Sequence, residues 1–181
     1  MARAGARGRL RLFGKNERGT TIIEFALIAA PLFALLIAIL ETSLTFFAQQ
    51  ALETTAEASA RQVMTGQAQK ANLSQAQFLN MVCGKLPSFM SCSKVMVDVQ
   101  TSANFSSANT TLPTITFDPT TGKPTNTWQY QIGNAGDIVT LRIMYLWPVV
   151  SGPLGFTLAN SGSNTRILLA TQVFKTEPYA S

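Results

Sequence analysis

The sequence has 181 residues and a formal net charge of +5, enough chain for one membrane segment and one modest domain. Residues 1–19 contain six of the 14 basic residues against the single acid Glu17, so this segment alone carries the +5. The basic residues that follow are balanced by acids and too scattered to follow a phosphate backbone, which argues against a nucleic-acid-binding protein.

Residues 1–19 are rich in Gly and Arg and show no apolar periodicity, so we expect disorder there. The apolar run at residues 20–40 would be about 31 Å long as a helix, close to the roughly 30 Å hydrocarbon core of a bilayer. Positive charge on its N-terminal flank predicts a cytoplasmic N-terminus. The sequence therefore predicts a basic cytoplasmic leader (1–19), a transmembrane helix (20–41) and an exported domain (42–181).

The helix is predicted to continue beyond the membrane. Apolar and small residues recur at helical spacing from Leu44 to Val63, with polar residues on the opposite face. Neither Gly nor Pro occurs at residues 32–65, and Gly66 is the natural stop. We expect one helix over residues 20–65, about 69 Å long, whose outer half needs an apolar cover.

A second, short helix is predicted from Ser74 to about Cys83, because Ser74 and Gln77 fit a capping box. The chain has no histidine, which excludes a mixed cysteine–histidine zinc site. In an exported domain, Cys83 and Cys92 form a candidate disulfide, with two buried free thiols as the alternative.

The chain after Cys92 is predicted to form four strands and one long surface segment. Residues 102–127 are rich in Ser, Thr, Asn and Pro and indicate a long surface excursion, with a possible short strand at 114–117. The predicted fold is α+β: the long helix packs on a small antiparallel sheet of about four strands, with one extra short helix. The predicted strands are residues 95–99, 128–132, 139–147 and 166–175.

We expect no catalytic, metal or cofactor site. The sequence lacks a histidine base, a GxSxG motif, a Gly-rich phosphate loop and a close pair of carboxylates in the exported part. Asp98, Asp118 and Asp137 lie far apart in the sequence and are expected on the solvated surface. Arg142 is also expected to face solvent, where it is a candidate contact for a partner.

Glu24 lies inside the apolar run, where lipid would penalise an acidic side chain by roughly 2.5–3.5 kcal/mol at the bilayer centre. The basic leader, Gly19, Thr20 and then Glu24 and Phe25 resemble the processing site of type IV pilin-like proteins. The resemblance implies that a prepilin peptidase cuts after Gly19, making Thr20 the N-terminus and Glu24 and Phe25 residues for processing and assembly.

Glu24 would then lie one helical turn from the new α-amine, whose ordinary pKa is about 7.7–8.0. Pairing between neighbouring subunits would compensate both charges, whereas a register error would leave both unpaired. The alternative is a glutamate at the cytoplasmic interface with no such role.

A narrower resemblance comes from TTIIEFALIAAPLFALLIAILE, in which Pro31 follows Glu24 by seven residues. Together with a chain end that closes on Glu177, Pro178 and Tyr179, it resembles the TadE-like pseudopilins of the Tad (tight adherence, Flp-type) pilus. Major Flp pilins have tyrosine where this chain has Phe25, and they are much shorter, which implies a minor component. Pro31 indicates either a tolerated helix kink or a hinge.

The resemblance implies a minor pilin or pseudopilin of a Tad-type (type IVc) pilus, acting in pilus biogenesis and surface adherence. The implied partners are the prepilin peptidase, the major Flp-type pilin, other minor pilins, the Tad inner-membrane assembly platform and the membrane, but no nucleic acid. The implied location is the bacterial inner membrane with a periplasmic C-terminal domain, or the surface pilus after processing. The alternative is an uncleaved single-pass scaffold or binding protein that keeps residues 1–19.

Overall fold

The computed structural model describes residues 20–150, 152–161 and 164–178. The predicted leader, residues 1–19, and Tyr179 at the chain end lie outside the described residues. The expectation of disorder in the leader and the predicted cleavage residue Gly19 therefore concern a part of the chain that the structure does not describe.

The long helix is confirmed as α1, Thr20–Met64, a single helix of 45 residues. It ends at Gly66, whose φ of 75° lies in the left-handed region that glycine adopts without a steric penalty. The N–H of Gly66 donates to the carbonyl of Val63 and completes the last turn. The sequence pattern thus gave the end of the helix to within one residue.

Two short helices follow, α2 (Gln67–Lys70) and α3 (Gln75–Lys85). The predicted capping box at α3 is confirmed. The hydroxyl of Ser74 accepts from the N–H of Gln77 (3.4 Å), while the side-chain oxygen of Gln77 accepts from the N–H of Ser74 (2.8 Å). These bonds satisfy N–H groups that would otherwise lack partners at the helix start.

The sheet contains three antiparallel strands in the order β1 (Val95–Ser102), β2 (Ile138–Pro148) and β3 (Thr165–Lys175). The α+β class is confirmed, but the predicted strand at residues 128–132 is wrong. That segment meets β1 in the parallel direction at one pair only, Val99 and Tyr130. Gly133, with φ of 69°, then turns the chain away, so the ladder cannot continue.

The apolar alternation in residues 128–132 nevertheless reflects packing. Tyr130 and Ile132 pack against the core, and the hydroxyl of Tyr130 donates to the carbonyl of Leu73 (2.8 Å). Burial raises the pKa of Tyr130 to about 12, so this hydroxyl remains a donor at neutral pH. The segment therefore joins the sheet to the turn before α3 without belonging to the ladder.

The main core lies between the outer half of α1 and one face of the sheet, as predicted. Small α1 residues bring the helix close to the strands, and the larger ones fill the space between them. Buried α1 residues of this core are Ala48, Leu52, Ala56, Ala60 and Val63, and buried strand residues are Val95, Val97, Val99, Val139, Leu141, Ile143, Tyr145, Leu168 and Ala170.

The opposite face of the sheet is also covered. Ile115 and Phe117, from the segment predicted as a surface excursion, pack on Met96 and Met144. Most of the segment is exposed, and the possible strand at 114–117 is reduced to a single bridge pair between Phe117 and Pro124. The segment therefore closes a second, smaller apolar cluster on the outer face.

The prediction that Asp98 and Arg142 face solvent is wrong. The two residues pair across β1 and β2, with exposed fractions of 2% and 4%. The Arg142 Nη2 and the Asp98 Oδ2 are 2.6 Å apart, and Arg142 also donates to the carbonyl of Thr111 (3.2 Å). Asp98 accepts from the N–H of Gln129 (2.9 Å). Both side chains do point away from α1, but the covering segment removes them from water.

A disulfide joins Cys83 of α3 to Cys92, whose Cα atoms are 5.3 Å apart. Cys92 begins the short 3-10 turn Cys92–Lys94, which leads directly into β1. The bond therefore fixes the end of α3 beside the start of β1 and closes the loop that carries Phe89.

The strand β3 runs beside α1 in the same direction. Gln49 donates to the carbonyl of Leu169 (2.9 Å), and fifteen residues further along α1 the carbonyl of Met64 accepts from the N–H of Glu177 (2.8 Å). The start of β3 and the end of β2 paired with it consequently lie at the end of the domain nearest the apolar half of α1.

The buried ion pair generates a stability prediction. Replacing Asp98 by Asn leaves the Arg142 charge buried without its counter-ion, so we expect a loss of about 3–5 kcal/mol in the free energy of unfolding. Denaturant unfolding of the full chain in detergent, followed by circular dichroism, measures it. The control is the double variant Asp98→Leu, Arg142→Met, which buries no charge and should lose clearly less. Equal losses in both would show that the charge pairing is not responsible.

The disulfide generates a second prediction. Its ring, with a sequence separation of nine, should stabilise the domain by about 2.5–3 kcal/mol through loop entropy. The double variant Cys83→Ser, Cys92→Ser should unfold at lower denaturant by that amount, and reductant should lower the stability of the parent chain but not that of the variant. A parent chain unaffected by reductant would indicate that the bond contributes nothing.

Candidate functional site

The inner half of α1 has no cover among the described residues. The apolar window of this helix that could span a membrane is unburied, and it belongs to the one described helix long and apolar enough to do so. Large side chains such as Ile22 and Leu27 are exposed all around the helix. In water such a surface would be unfavourable, so this half fits a single-pass membrane anchor.

Glu24 lies in the second turn of this exposed half, one turn after Thr20, the first helical residue. Its exposed side chain has Leu27 and Ile28 as helical neighbours on the same side. No hydrogen bond or ion pair within the described part of the chain reaches Glu24. The structure therefore presents one carboxylate, without a compensating group, on an apolar helix surface.

Phe25 and Pro31 lie on the same exposed half. Because Pro31 has no N–H, the carbonyl of Leu27 lacks its usual helical donor. The helix nevertheless continues through Pro31 without interruption. A tolerated break in the hydrogen-bond ladder therefore accounts for the structure, and the hinge stays a prediction.

The exposed apolar surface of α1 continues past residue 41, where the predicted transmembrane helix ends. Beyond Glu41 the exposed side chains of Leu44, Phe46 and Phe47 continue the apolar surface of α1. The sequence analysis assigned Leu44 to the apolar stripe that needs a cover, whereas the structure leaves it exposed. The polar residues Thr42 and Ser43 lie just before it. In the structure their hydroxyls donate back to the carbonyls of Ala38 and Ile39 and need no water.

The acidic residues of the domain occupy separate positions. Backbone N–H groups of Thr121 and Thr120 donate to Asp118 and hold the pKa of its carboxyl below the usual value. Asp137 accepts from the N–H of Asn134 (2.7 Å) in another turn, and Asp98 is held by Arg142. Within the described residues, no three His, Cys, Asp or Glu side chains lie close enough together to hold a metal.

Comparison with known families identifies the N-terminal part of the chain. The family model described as TadE-like protein matches residues 19–61. Residues 19–61 are therefore similar to TadE-like proteins, and we call them the TadE-like segment. No curated protein and no solved structure matches the chain.

The TadE-like segment begins at Gly19 and contains Glu24, Phe25 and Pro31. It also includes most of the α1 face that packs on the sheet, from Ala48 to Ala60. The predicted resemblance to the TadE-like family of the Tad pilus system is confirmed. The resemblance drawn from the closing strands lies outside the matched residues and stays a prediction.

Proposed function

We propose that this TadE-like chain is a minor pilin or pseudopilin of a Tad-type pilus, processed after Gly19 by a prepilin peptidase. The observation that carries the proposal is the Glu24 carboxylate, exposed on the apolar half of α1 one turn from Thr20 and without a partner among the described residues. Cleavage at Gly19 would place a positive α-amine at Thr20. This amine is the group that could compensate Glu24 in a neighbouring subunit.

The exposed half of α1 would serve two environments in turn. In the bilayer, its apolar side chains face lipid, and Glu24, near the start of the span, reaches the cytoplasmic interface. In a filament the same side chains would pack against other subunits. Pairing of Glu24 with a neighbouring α-amine would then fix how the helices are aligned along their length. Helix packing in an apolar layer has little directional preference of its own, so a single charge pair can decide the register.

The outer half of α1 and the sheet would form the part that faces the periplasm or the filament surface. Its exposed segment at residues 102–127 is available for contacts with other surfaces. The proposed partners are the prepilin peptidase, the major Flp-type pilin, other minor pilins and the Tad inner-membrane assembly platform. The proposed roles are pilus biogenesis and surface adherence, with no reaction catalysed by the chain itself.

A second candidate is a single-pass inner-membrane scaffold with a periplasmic domain, which keeps residues 1–19. The uninterrupted exposed helix supports this function equally well, since an anchor also needs a lipid-facing span. The two candidates differ in processing and in what Glu24 does. Both differences can be measured.

Processing is tested by N-terminal sequencing of the protein extracted from membranes. We expect a start at Thr20 when the cognate prepilin peptidase is present and an intact leader when it is deleted. The variant Gly19→Leu should insert normally but keep its leader, because a bulky side chain replaces the residue before the cut. An intact leader in the parent chain, with the peptidase present, would favour the scaffold.

The role of Glu24 is tested by counting pili on cells that carry Glu24→Gln. We expect normal membrane levels but a loss of most filaments, because the amide cannot pair ionically with an α-amine. The matched control is Glu57→Gln, which removes an exposed carboxylate from the domain half of the same helix. Unchanged piliation in the Glu24 variant would support a glutamate that only meets the cytoplasmic interface.

A further inference from the structure

Large apolar side chains ring the domain at the end nearest the exposed half of α1. We call this ring the outer collar. Its members come from α1, from the disulfide-closed loop and from the chain around the end of β2. The exposed members range from 77% accessible at Val150 to 36% at Phe156, while Trp147 is half-buried against the main core. The outer collar consists of Leu44, Phe46, Phe47, Phe89, Trp147, Val150 and Phe156.

The topology places these separate segments at the same level along the α1 axis, at the end of the sheet nearest the span. Pro148, the last residue of β2, pairs with Thr165, the first residue of β3, at the end of the sheet nearest the span. The 3-10 turn Pro153–Gly155, in the connection between the two strands, contacts α1. Phe89 stacks on Phe47 (centroids 5.3 Å apart) and meets Trp147 edge-on (6.4 Å).

The members of the outer collar lie at the same level along the α1 axis, but they are not confined to one side of the molecule. Successive helical residues differ by about 100° around the axis, so Leu44 and Phe46 point about 160° apart and Phe47 lies between them. The other members, Phe89, Trp147, Val150 and Phe156, come from other segments, so the outer collar extends beyond this one face of α1. A planar layer that surrounds the helix would cover all of them.

Polar side chains at this height are satisfied within the protein or shielded. The hydroxyls of Thr42, Ser43 and Thr45 donate to the carbonyls four residues earlier, at 2.7, 2.8 and 2.9 Å. Both carboxylate oxygens of Glu41 are buried, and neither has a hydrogen-bond partner within the described residues. Between Leu40 and Phe47, the exposed side chains of α1 are therefore apolar except for Ser43, whose hydroxyl donor is satisfied within the helix.

The length of this surface matches a membrane. From Thr20 to Phe47 the helix rises about 40 Å, longer than the roughly 30 Å hydrocarbon core but equal to the about 40–45 Å that includes both head-group layers. Gln50 and Glu53 then begin the exposed polar face of α1. The apolar surface thus ends where the outer head-group layer would end.

We propose that the outer collar lies in the outer interfacial layer of the membrane, so that the domain rests on the phospholipid head groups. Tryptophan and other aromatic rings are favoured in this layer, where apolar faces meet acyl chains and polar edges meet water. The inference rests on the proposed insertion of α1 in the membrane. It adds a lipid-binding surface on the folded domain itself.

The two tryptophans of the chain provide the test. Trp147 belongs to the outer collar. Tyr130 forms a parallel bridge with Val99, so Trp128, two residues earlier, lies beside Val97. Val97 in turn pairs with Ile143 of β2. Ile143 precedes Trp147 by four strand residues, which places Trp128 about 13 Å farther from the membrane.

The experiment reconstitutes full-length protein in phosphatidylcholine vesicles with or without dibrominated acyl chains, which quench nearby tryptophans. The variant Trp128→Phe reports on Trp147, and the matched variant Trp147→Phe reports on Trp128. We expect brominated lipid to remove most of the Trp147 emission and little of the Trp128 emission. A third variant, Val150→Trp in a chain lacking both natural tryptophans, should be quenched like Trp147.

Other outcomes would overturn the proposal. Vesicle flotation separates its failure from that of membrane insertion, because protein that does not float overturns both. If the protein floats but its Trp147 is quenched by aqueous acrylamide and not by brominated lipid, the outer collar lies in water. That result would overturn this proposal alone. Protection from both quenchers that increases with the protein-to-lipid ratio would show that a second copy covers the outer collar.

Discussion

One continuous helix must satisfy two different surroundings, and the rest of the structure depends on how α1 does so. Up to Phe47 most of its exposed side chains are apolar, as a membrane environment requires, and Glu24 is the charged exception among the described residues. From Ala48 the buried positions become mostly small, with Ala56 and Ala60 following, and the helix can approach the sheet closely. The absence of any break at residues 32–64 makes the domain and the span one rigid unit along this axis.

Local patterns were sufficient for the helices but not for every strand. The bounds of α1 and the capping box at Ser74 depend on neighbouring residues, so they could be predicted from the sequence. Whether residues 128–132 form a strand depends on a distant partner and on the turn at Gly133. Asp98 and Arg142 likewise look like surface residues until the register sets them opposite each other and residues 102–127 cover them.

The same distinction applies to function. Gly19 and Glu24 are candidates that neighbouring residues of the sequence are enough to suggest, and the TadE-like match covers them. The outer collar could not be identified in that way. Phe47, Phe89 and Trp147 span 100 positions of the sequence and meet only because a disulfide-closed loop and the end of β2 converge on α1.

The proposed roles of Glu24 and the outer collar together fix the depth of the subunit in the membrane. They lie about 35 Å apart along α1, so each can occupy one interface at the same time. A subunit that leaves the bilayer must then satisfy two requirements, because Glu24 needs an opposite charge and the outer collar needs an apolar cover. A filament position that offers only one of these leaves the other group in an unfavourable environment. Under the two proposed roles, correct assembly would be specified at both ends of the span, by a charge at one end and by apolar area at the other.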